Sequence, residues 1–271
     1  MNYRHAYHAG NFADVFKHAL LARILLYLTR KPAPLRYIDT HAGIGLYDLS
    51  GVEAQKTGEW RGGIGRMGAI PEGPARELLQ PWIALASAAR YPGSPVLAQS
   101  LLRAGDSLRL CELHARDADD LDVHMGRDSR VKILVQDGYT ALKGLVPPPS
   151  RRGLVLMDPP FEANDEFDRM AKAVIEAHAR WREGVFALWY PVKDAAGQHF
   201  GAKLAQAGIR KILRLRLNVG GETAALTACA MIVINPPFVL EAETAVLLPA
   251  LVAAMRQGPG AGYAVDWLAG E

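Results

Sequence analysis

Residues 154–161 read LVLMDPPF and place a carboxylate and an aromatic ring on a double-proline turn directly after an apolar run. Such a turn suits chemistry on an exocyclic amino group of a nucleobase, which is a poor nucleophile because its lone pair is delocalised into the ring. Asp158 and the carbonyl of Pro159 can accept the amine's N–H hydrogens as the nitrogen becomes more tetrahedral. Phe161 can stack on the flipped base, and the prolines hold these groups rigidly. The motif therefore predicts a reaction at a base amine.

Carboxylates end four consecutive apolar runs, at Asp39, Glu112, Asp137 and Asp158. Burial of a carboxylate in the core of a strand is unfavourable, so packing does not explain these acids. In an open α/β sheet, ligands bind beyond the carboxyl ends of the strands. Glycines 43 and 45 allow close backbone approach, Glu112 suits ribose hydroxyls, and Asp137 suits an adenine amino group. Taken singly, Asp39 or Asp137 could equally cap the next helix, and Glu112 could be a solvated loop acid. Their joint order favours a nucleoside site.

The sequence lacks the motifs that bind dinucleotides and nucleoside phosphates. HAGIGLYD has only the first two glycines of a dinucleotide fingerprint, and the sequence contains no G-K-[ST] of a phosphate-binding loop. The remaining common candidate is S-adenosylmethionine, which carries no phosphate and has a sulfonium cation that carboxylates can face. Histidines 5, 8, 18, 41 and 114 lack the H-x-x-x-H spacing and no cysteine joins them, so no metal site is expected.

Short runs rich in Val, Ile and Leu alternate with longer amphipathic segments, which is typical of a parallel sheet with helices on both faces. Such a sheet would place the strand-end acids along one edge. Eight runs are predicted as strands: 35–40, 107–113, 131–137, 153–158, 184–190, 210–219, 226–235 and 262–268. The linker GGETAA is too short for a crossover helix, which predicts an antiparallel hairpin of 210–219 and 226–235 at the sheet edge. The predicted fold class is therefore α/β, a Rossmann-like, mostly parallel sheet with one reversed edge strand.

One segment interrupts the alternation of strands and helices. From Ser50 to Arg90 there is no strand pattern, which predicts a helical insertion over 50–92 within a single domain spanning 1–271. The next segment, YPGSPVLAQSLLR, is predicted to open a helix with Ser94 as N-cap and Pro95 at the first helical position.

Composition limits the class of protein. The chain has 271 residues, half of them hydrophobic, a net charge of +3 and no run near the roughly 18 apolar residues of a membrane span. The N-terminus lacks the apolar stretch of a signal peptide, and Cys111 and Cys229 are far apart in sequence. We therefore expect a cytoplasmic monomer without disulfides or membrane contact. The charge permits a nucleic-acid partner without requiring one.

Blocks along most of the chain resemble one family of enzymes. They are YRHAYHAGNFADVFKH, YIDTHAGIG, YPGSP, CELH, SRRGLVLMDPPFE, ALWYPV, GIRKI and MIVINPP, and they extend from the first residues to residue 237. In these blocks the chain is similar to the bacterial large-subunit ribosomal RNA methyltransferase J family. The motif [D/N/S]-P-P-[Y/F/W] is also the signature of amino-methyltransferases, although the N-terminal block is far more specific.

This resemblance implies S-adenosylmethionine-dependent methylation of N6 of one adenine, position 2030, in 23S ribosomal RNA. It assigns cofactor contacts to His18, His41, Ser94, Glu112, Asp137 and Gly138. Asp158 would be the catalytic acceptor and Tyr3 would touch the RNA, while Phe161 stands where tyrosine is commoner. Lys17, next to His18, is a further candidate for the cofactor pocket.

Rival interpretations concern both the motif and the function. NPPF at 235–238 has the same pattern as DPPF, but it follows the predicted reversed strand, so Asp158 is favoured over Asn235. A DNA adenine-N6 methyltransferase would use the same chemistry, but usually carries a substantial target-recognition region for which the insertion leaves little room. A non-catalytic nucleic-acid-binding protein, serving DNA uptake or use, would need no intact series of acids. The completeness of the series favours catalysis.

Overall fold

A computed structural model describes residues 4–87, 89–193, 195–221 and 226–270. The strands are β1 Arg36–Asp39, β2 Leu46–Asp48, β3 Arg90–Pro92, β4 Ser107–Glu112, β5 Val131–Val135, β6 Gly153–Met157, β7 Val185–Pro191, β8 Ile212–Asn218, β9 Ala228–Ile234 and β10 Gly262–Ala269. The α-helices are α1 Phe12–Leu28, α2 Val52–Thr57, α3 Pro74–Ile83, α4 Ser94–Leu101, α5 Ala115–Met125, α6 Gly138–Leu145, α7 Glu166–Arg180, α8 Ala195–Gln206 and α9 Leu240–Met255. All eight predicted runs form strands.

Eight strands form the main sheet, in the order β10-β8-β9-β7-β6-β1-β4-β5. The five strands from β7 to β5 are parallel, β9 runs antiparallel to both β7 and β8, and β10 runs antiparallel to β8. The mostly parallel α/β fold with a reversed edge strand is confirmed, and so is the β8–β9 hairpin pairing. The hairpin is not at the edge as predicted, because β10 pairs with β8 and becomes the edge strand. The linker residues 222–225 lie outside the described residues.

Two hydrophobic layers cover the two faces of the sheet. Alternating side chains of each buried strand enter opposite layers, as Tyr37 and Ile38 do in β1. Helices α1, α4, α5 and α9 contribute to one layer, and α6, α7 and α8 contribute to the other. This arrangement fixes the carboxyl ends of the parallel strands along one edge.

The segment 50–92 is framed by a small antiparallel sheet of β2 and β3. Between these strands lie α2, two short 3-10 segments over 59–69, and α3. The expectation of no strand from Ser50 to Arg90 is wrong at Arg90, where β3 begins, because β3 consists of only three residues and a run this short has no periodicity. Buried Met67, Leu79 and Trp82 pack into the same layer as α1, so the proposed insertion shares the core of the domain. In the described part of the chain no helix is both long and apolar enough to cross a membrane.

Candidate active site

The four strand-end acids lie along one edge of the sheet. Strands β6, β1, β4 and β5 are neighbours in that order and are parallel. Their carboxyl ends therefore line up Asp158, Asp39, Glu112 and Asp137 in a row. The sequence order of the acids is not their spatial order, because β6 returns to the other side of β1.

Lys17 joins Asp158 to the start of α1. Its ammonium group lies 2.5 Å from Asp158 Oδ2 and 2.9 Å from Asp14 Oδ1. Burial opposes the charge of Lys17, but the two carboxylates raise its pKa well above the usual value. Lys17 therefore carries a positive charge, and it holds one oxygen of Asp158 while the other oxygen can accept a hydrogen bond. Lys17 is a candidate for the cofactor pocket in the sequence, and the structure adds this direct contact with Asp158.

The start of α1 fixes Lys17 through local capping. Asn11 caps the helix by accepting from the backbone N–H groups of Ala13 and Asp14. Asp14 in turn accepts from Gly10 N and pairs with His5 Nε2, both at 2.9 Å. Burial would raise the pKa of Asp14, but His5 and Lys17 hold it well below its usual range. Asp14 is therefore a buried anion that positions Lys17.

The turn after β6 holds Phe161 in a left-handed conformation with φ of 52°. Its ring centroid lies 4.9 Å from that of Phe167 and 6.0 Å from that of Trp189. A non-glycine residue with positive φ is strained and persists only where its surroundings determine it. Here the aromatic neighbours fix the half-buried ring beside Asp158.

Glu112 and the glycine turn after β1 form the middle of the row. Glu112 Oε2 accepts from Gly43 N and Oε1 accepts from His114 N, both at 2.9 Å. Burial raises the pKa of Glu112, although these two hydrogen bonds oppose the rise. Gly43 has φ of 60°, and a Cβ there would come within 2.5 Å of the Tyr47 hydroxyl oxygen. Each Glu112 oxygen keeps a lone pair for a ligand hydroxyl.

Ser94 lies beside this turn, and its predicted capping role is wrong. Gly93 is the N-cap of α4, and the Ser94 hydroxyl donates to Asp39 Oδ2 at 2.7 Å instead. Tyr37 donates to the same oxygen at 2.7 Å, and the His41 backbone N–H approaches Asp39 Oδ1 at 3.3 Å. Asp39 is fully buried and thus positions Ser94 and His41 from beneath the edge.

His18 is buried against Tyr91, and His18 Nδ1 lies 2.6 Å from the Tyr91 hydroxyl oxygen. Burial and the charge of Lys17 lower the pKa of His18 well below its usual value, while burial raises that of Tyr91. Tyr91 therefore keeps its proton and donates to Nδ1, which leaves the ring hydrogen on Nε2. Among the residues described, Nε2 has no hydrogen-bond partner. A buried donor without a partner fits a site that takes a ligand oxygen.

Asp137, Gly138 and His41 lie at the far end of the row. Asp137 caps α6 by accepting from Thr140 N at 2.8 Å, and it also pairs with Arg169 at 3.2 Å. Gly138 is required sterically, since a Cβ would come within 2.0 Å of the Thr40 carbonyl oxygen. Burial lowers the pKa of His41 to about 4, so this histidine is neutral near pH 7. The structure thus gives Asp137 and Gly138 structural roles beside the predicted cofactor roles.

Other predicted features complete the description of the site. Tyr3 lies outside the described residues. Within the chain as described, no group of three or more His, Cys, Asp or Glu residues could hold a metal ion. Cys111 and Cys229 are buried in the sheet, and burial raises the thiol pKa of Cys111 to about 12.

Comparison with known proteins identifies the family. A family model described as "Ribosomal RNA large subunit methyltransferase D, RlmJ" matches residues 32–269. The chain belongs to this family. The family relationship predicted from the N-terminal blocks and the DPPF motif is thereby confirmed, and with it the prediction of a methyltransferase.

Individual relatives of this methyltransferase family match the full chain. A protein of Escherichia coli K12 named "Ribosomal RNA large subunit methyltransferase J" is 39% identical over 280 residues, covering all of both chains. A protein of the same name from Haemophilus influenzae is 38% identical over 281 residues with the same coverage. A Legionella pneumophila protein with a known crystal structure is 32% identical to this chain. The two structures align with a TM-score of 0.86 over 96% of this chain and 98% of that chain.

Proposed function

We propose that this family member transfers a methyl group from S-adenosylmethionine to N6 of a single adenine, position 2030, in 23S ribosomal RNA. The observation that carries the proposal is the Asp158 carboxylate, held by Lys17 at the end of β6 and next to the row of strand-end acids. The names of the two relatives supply the class of RNA. An enzyme with this substrate would act in the cytoplasm.

The residues at the edge suit S-adenosylmethionine. Glu112 has one lone pair on each oxygen for the ribose hydroxyls, and Gly43 N and His114 N hold its carboxylate in place. His18 Nε2–H is a buried donor for an anionic oxygen of the ligand. We assign further cofactor contacts to His41, Ser94, Asp137 and Gly138. When bound, S-adenosylmethionine supplies an electrophilic methyl group on a sulfonium centre.

Asp158 is assigned to the acceptor amine. Its Oδ1 atom and the Pro159 carbonyl accept the two N6–H hydrogens, which directs the nitrogen lone pair towards the methyl group. Lys17 holds Oδ2 and prevents the carboxylate from rotating away. The amine nitrogen would gain a bond to the methyl carbon as the methyl–sulfur bond breaks with its electron pair kept on sulfur, and the nitrogen would lose one proton to solvent. Phe161 stacks on the base, and Tyr3 is proposed to contact the neighbouring RNA.

Transfer of tritiated methyl groups tests this proposal. Ribosomal RNA from cells that lack the modification, fully modified ribosomal RNA and duplex DNA are offered as substrates. We expect label on N6 of one adenine in the unmodified RNA and none in the other two. Equal or better labelling of duplex DNA would refute the RNA assignment and favour a DNA adenine methyltransferase.

A further inference from the structure

A cluster of side chains from α6 and α7 lies next to Asp137, the acid at the far end of the row. Arg169, near the start of α7, places its guanidinium 3.2 Å from Asp137 Oδ2. The same guanidinium lies over the Tyr139 ring, with Cζ 5.0 Å from the ring centroid, and 3.6 Å from Glu166 Oε1. The Tyr139 hydroxyl donates to Glu166 Oε1 at 2.8 Å. Arg169 is therefore held by three groups, of which Asp137 is one.

The cluster has a buried part and a partly exposed part. Tyr139 and Glu166 are buried, whereas the side chains of Arg169 and Asp137 are 43% and 31% exposed. Burial and the hydrogen bond with Glu166 raise the pKa of Tyr139, so its hydroxyl keeps the proton that it donates. The Tyr139 ring also meets the His41 ring edge-on, at a centroid distance of 5.1 Å. The buried pair thus gives a fixed base to Arg169 beside two residues assigned to the cofactor, His41 and Asp137.

Each oxygen of the Asp137 carboxylate has a protein donor. Oδ1 accepts from Thr140 N at 2.8 Å, and Oδ2 accepts from the Arg169 guanidinium. Burial opposes the charge of Asp137, but the hydrogen bonds with Thr140 and the positive charge of Arg169 lower its pKa. A carboxylate oxygen has two lone pairs, so one on each oxygen stays available to a ligand donor. Loss of Arg169 would remove the contact at Oδ2, and the carboxylate could then turn about its bond to Cβ.

We propose that Arg169 is a positioning residue for the cofactor: it holds the Asp137 carboxylate in the orientation that accepts the amino group of the cofactor's adenine. The planar guanidinium is already anchored on the Tyr139 ring and beside Glu166, so it loses little further freedom when it binds a carboxylate. A merely structural ion pair between α6 and α7 would stabilise the fold without distinguishing one ligand from another. The inference rests on S-adenosylmethionine as the cofactor in the proposed function.

Calorimetric titration with two ligands tests this role. One is S-adenosylhomocysteine, and the other is its analogue with a hydrogen atom in place of the adenine amino group. The wild type should bind S-adenosylhomocysteine roughly tenfold more tightly or better, because the analogue has no donor for the carboxylate. Arg169→Met should bind S-adenosylhomocysteine roughly three- to fivefold more weakly, the scale of a partly exposed ion pair, and the analogue as the wild type does.

Two further variants and a kinetic readout complete the test. Arg169→Lys keeps the charge and should restore part of the lost affinity. The control is Lys203→Met, which removes the exposed partner of Asp168 on the same helix and should leave both affinities unchanged. With unmodified ribosomal RNA, Arg169→Met should raise the KM for S-adenosylmethionine by a similar factor and leave kcat unchanged, as expected when binding alone is lost.

Three outcomes would overturn the positioning role. Equal losses of affinity for the two ligands in Arg169→Met would indicate a structural pair, and unchanged affinity for S-adenosylhomocysteine would indicate no role. A wild type that binds both ligands equally would mean that Asp137 does not hold the amino group. The proposed function fails separately: a wild type that prefers S-adenosylhomocysteine to the analogue but transfers no methyl group to RNA would refute RNA methylation, while the positioning role would stand.

Discussion

The two proline motifs, DPPF at 158–161 and NPPF at 235–238, both follow buried strands and both contain a residue with φ of 52°. In the first motif the strained residue is Phe161, and Asp158 contacts a buried lysine. In the second it is Asn235, whose side-chain amide binds two backbone carbonyls. We propose that the first motif presents an acceptor to a ligand, whereas the polar side chain of the second motif hydrogen-bonds to the backbone of a neighbouring loop.

Strand direction explains this difference. β6 is parallel to its neighbours and ends beside the turn that follows β1, whereas β9 is antiparallel and ends at the opposite edge. Ligands of an open α/β sheet bind at the carboxyl ends of the parallel strands. We therefore propose that the direction of the preceding strand decides whether this four-residue pattern has a catalytic or a structural role. Four variants test the contrast, beginning with the largest expected effect.

Asp158→Asn should lower kcat for methyl transfer by roughly 10²–10⁴-fold, the usual contribution of a positioned proton acceptor. The amide keeps the shape of the side chain but presents a weaker acceptor, and Lys17 loses a charged partner. Calorimetry should show S-adenosylmethionine affinity largely unchanged. Near-normal turnover of Asp158→Asn would mean that the catalytic acceptor lies elsewhere.

Lys17→Met should lower the free energy of unfolding by about 3–5 kcal/mol, because it leaves the buried Asp14 charge and the partly buried Asp158 charge without their shared partner. Denaturant unfolding measures this loss. The control is Lys143→Met, which breaks an exposed pair with Glu176 and should cost less than about 1 kcal/mol. Equal losses in the two variants would contradict a buried charge at the start of α1.

Asn235→Ala should lower the free energy of unfolding by about 1–3 kcal/mol, since two carbonyl partners lose their donor and alanine tolerates positive φ poorly. Its kcat on unmodified ribosomal RNA should stay near the wild-type value. Exposed Asn164→Ala is the control and should change stability by no more than about 0.5 kcal/mol. A catalytic defect without a stability defect would reverse the roles of the two motifs.

Glu112→Ala should weaken S-adenosylmethionine binding by roughly 1–3 kcal/mol, the scale for losing charge-assisted hydrogen bonds to hydroxyls. Isothermal calorimetry measures the change, and exposed Asp119→Ala on α5 is the matched acidic control. Unchanged affinity in Glu112→Ala would remove the ribose assignment.

Much of this contrast could be predicted from the sequence. Apolar runs located all eight strands of the main sheet, and the short linker after β8 predicted the reversed direction of β9 and hence the preference for Asp158 over Asn235. The position of β10 could not be predicted, because a run such as GYAVDWL shows that a strand exists but not which neighbour it pairs with. Strands β2 and β3 have three residues each, too few for periodicity.

The contacts within the site were harder to predict than the strands. Lys17 and Asp158 are 141 residues apart, and no local pattern links them. Ser94 followed a helix-cap pattern, yet its hydroxyl donates to Asp39 because Asp39 is buried directly beneath it. The Asp14 carboxylate accepts from Gly10 N and also pairs with Lys17, and no local sequence pattern predicts this pair of contacts. Such multiple roles depend on tertiary packing.

Hydrogen–deuterium exchange in the presence and absence of S-adenosylhomocysteine tests the central claim most directly, because it reads both edges of the sheet at once. The account predicts slower exchange at the carboxyl-edge turns, residues 40–45, 112–114, 137–140 and 158–161, and unchanged exchange at the amino-edge segments 181–184, 208–211 and 235–239. Protection confined to the amino-edge segments, or no protection at 40–45 and 112–114 at saturating ligand, would contradict the assignment of the cofactor site to the carboxyl edge.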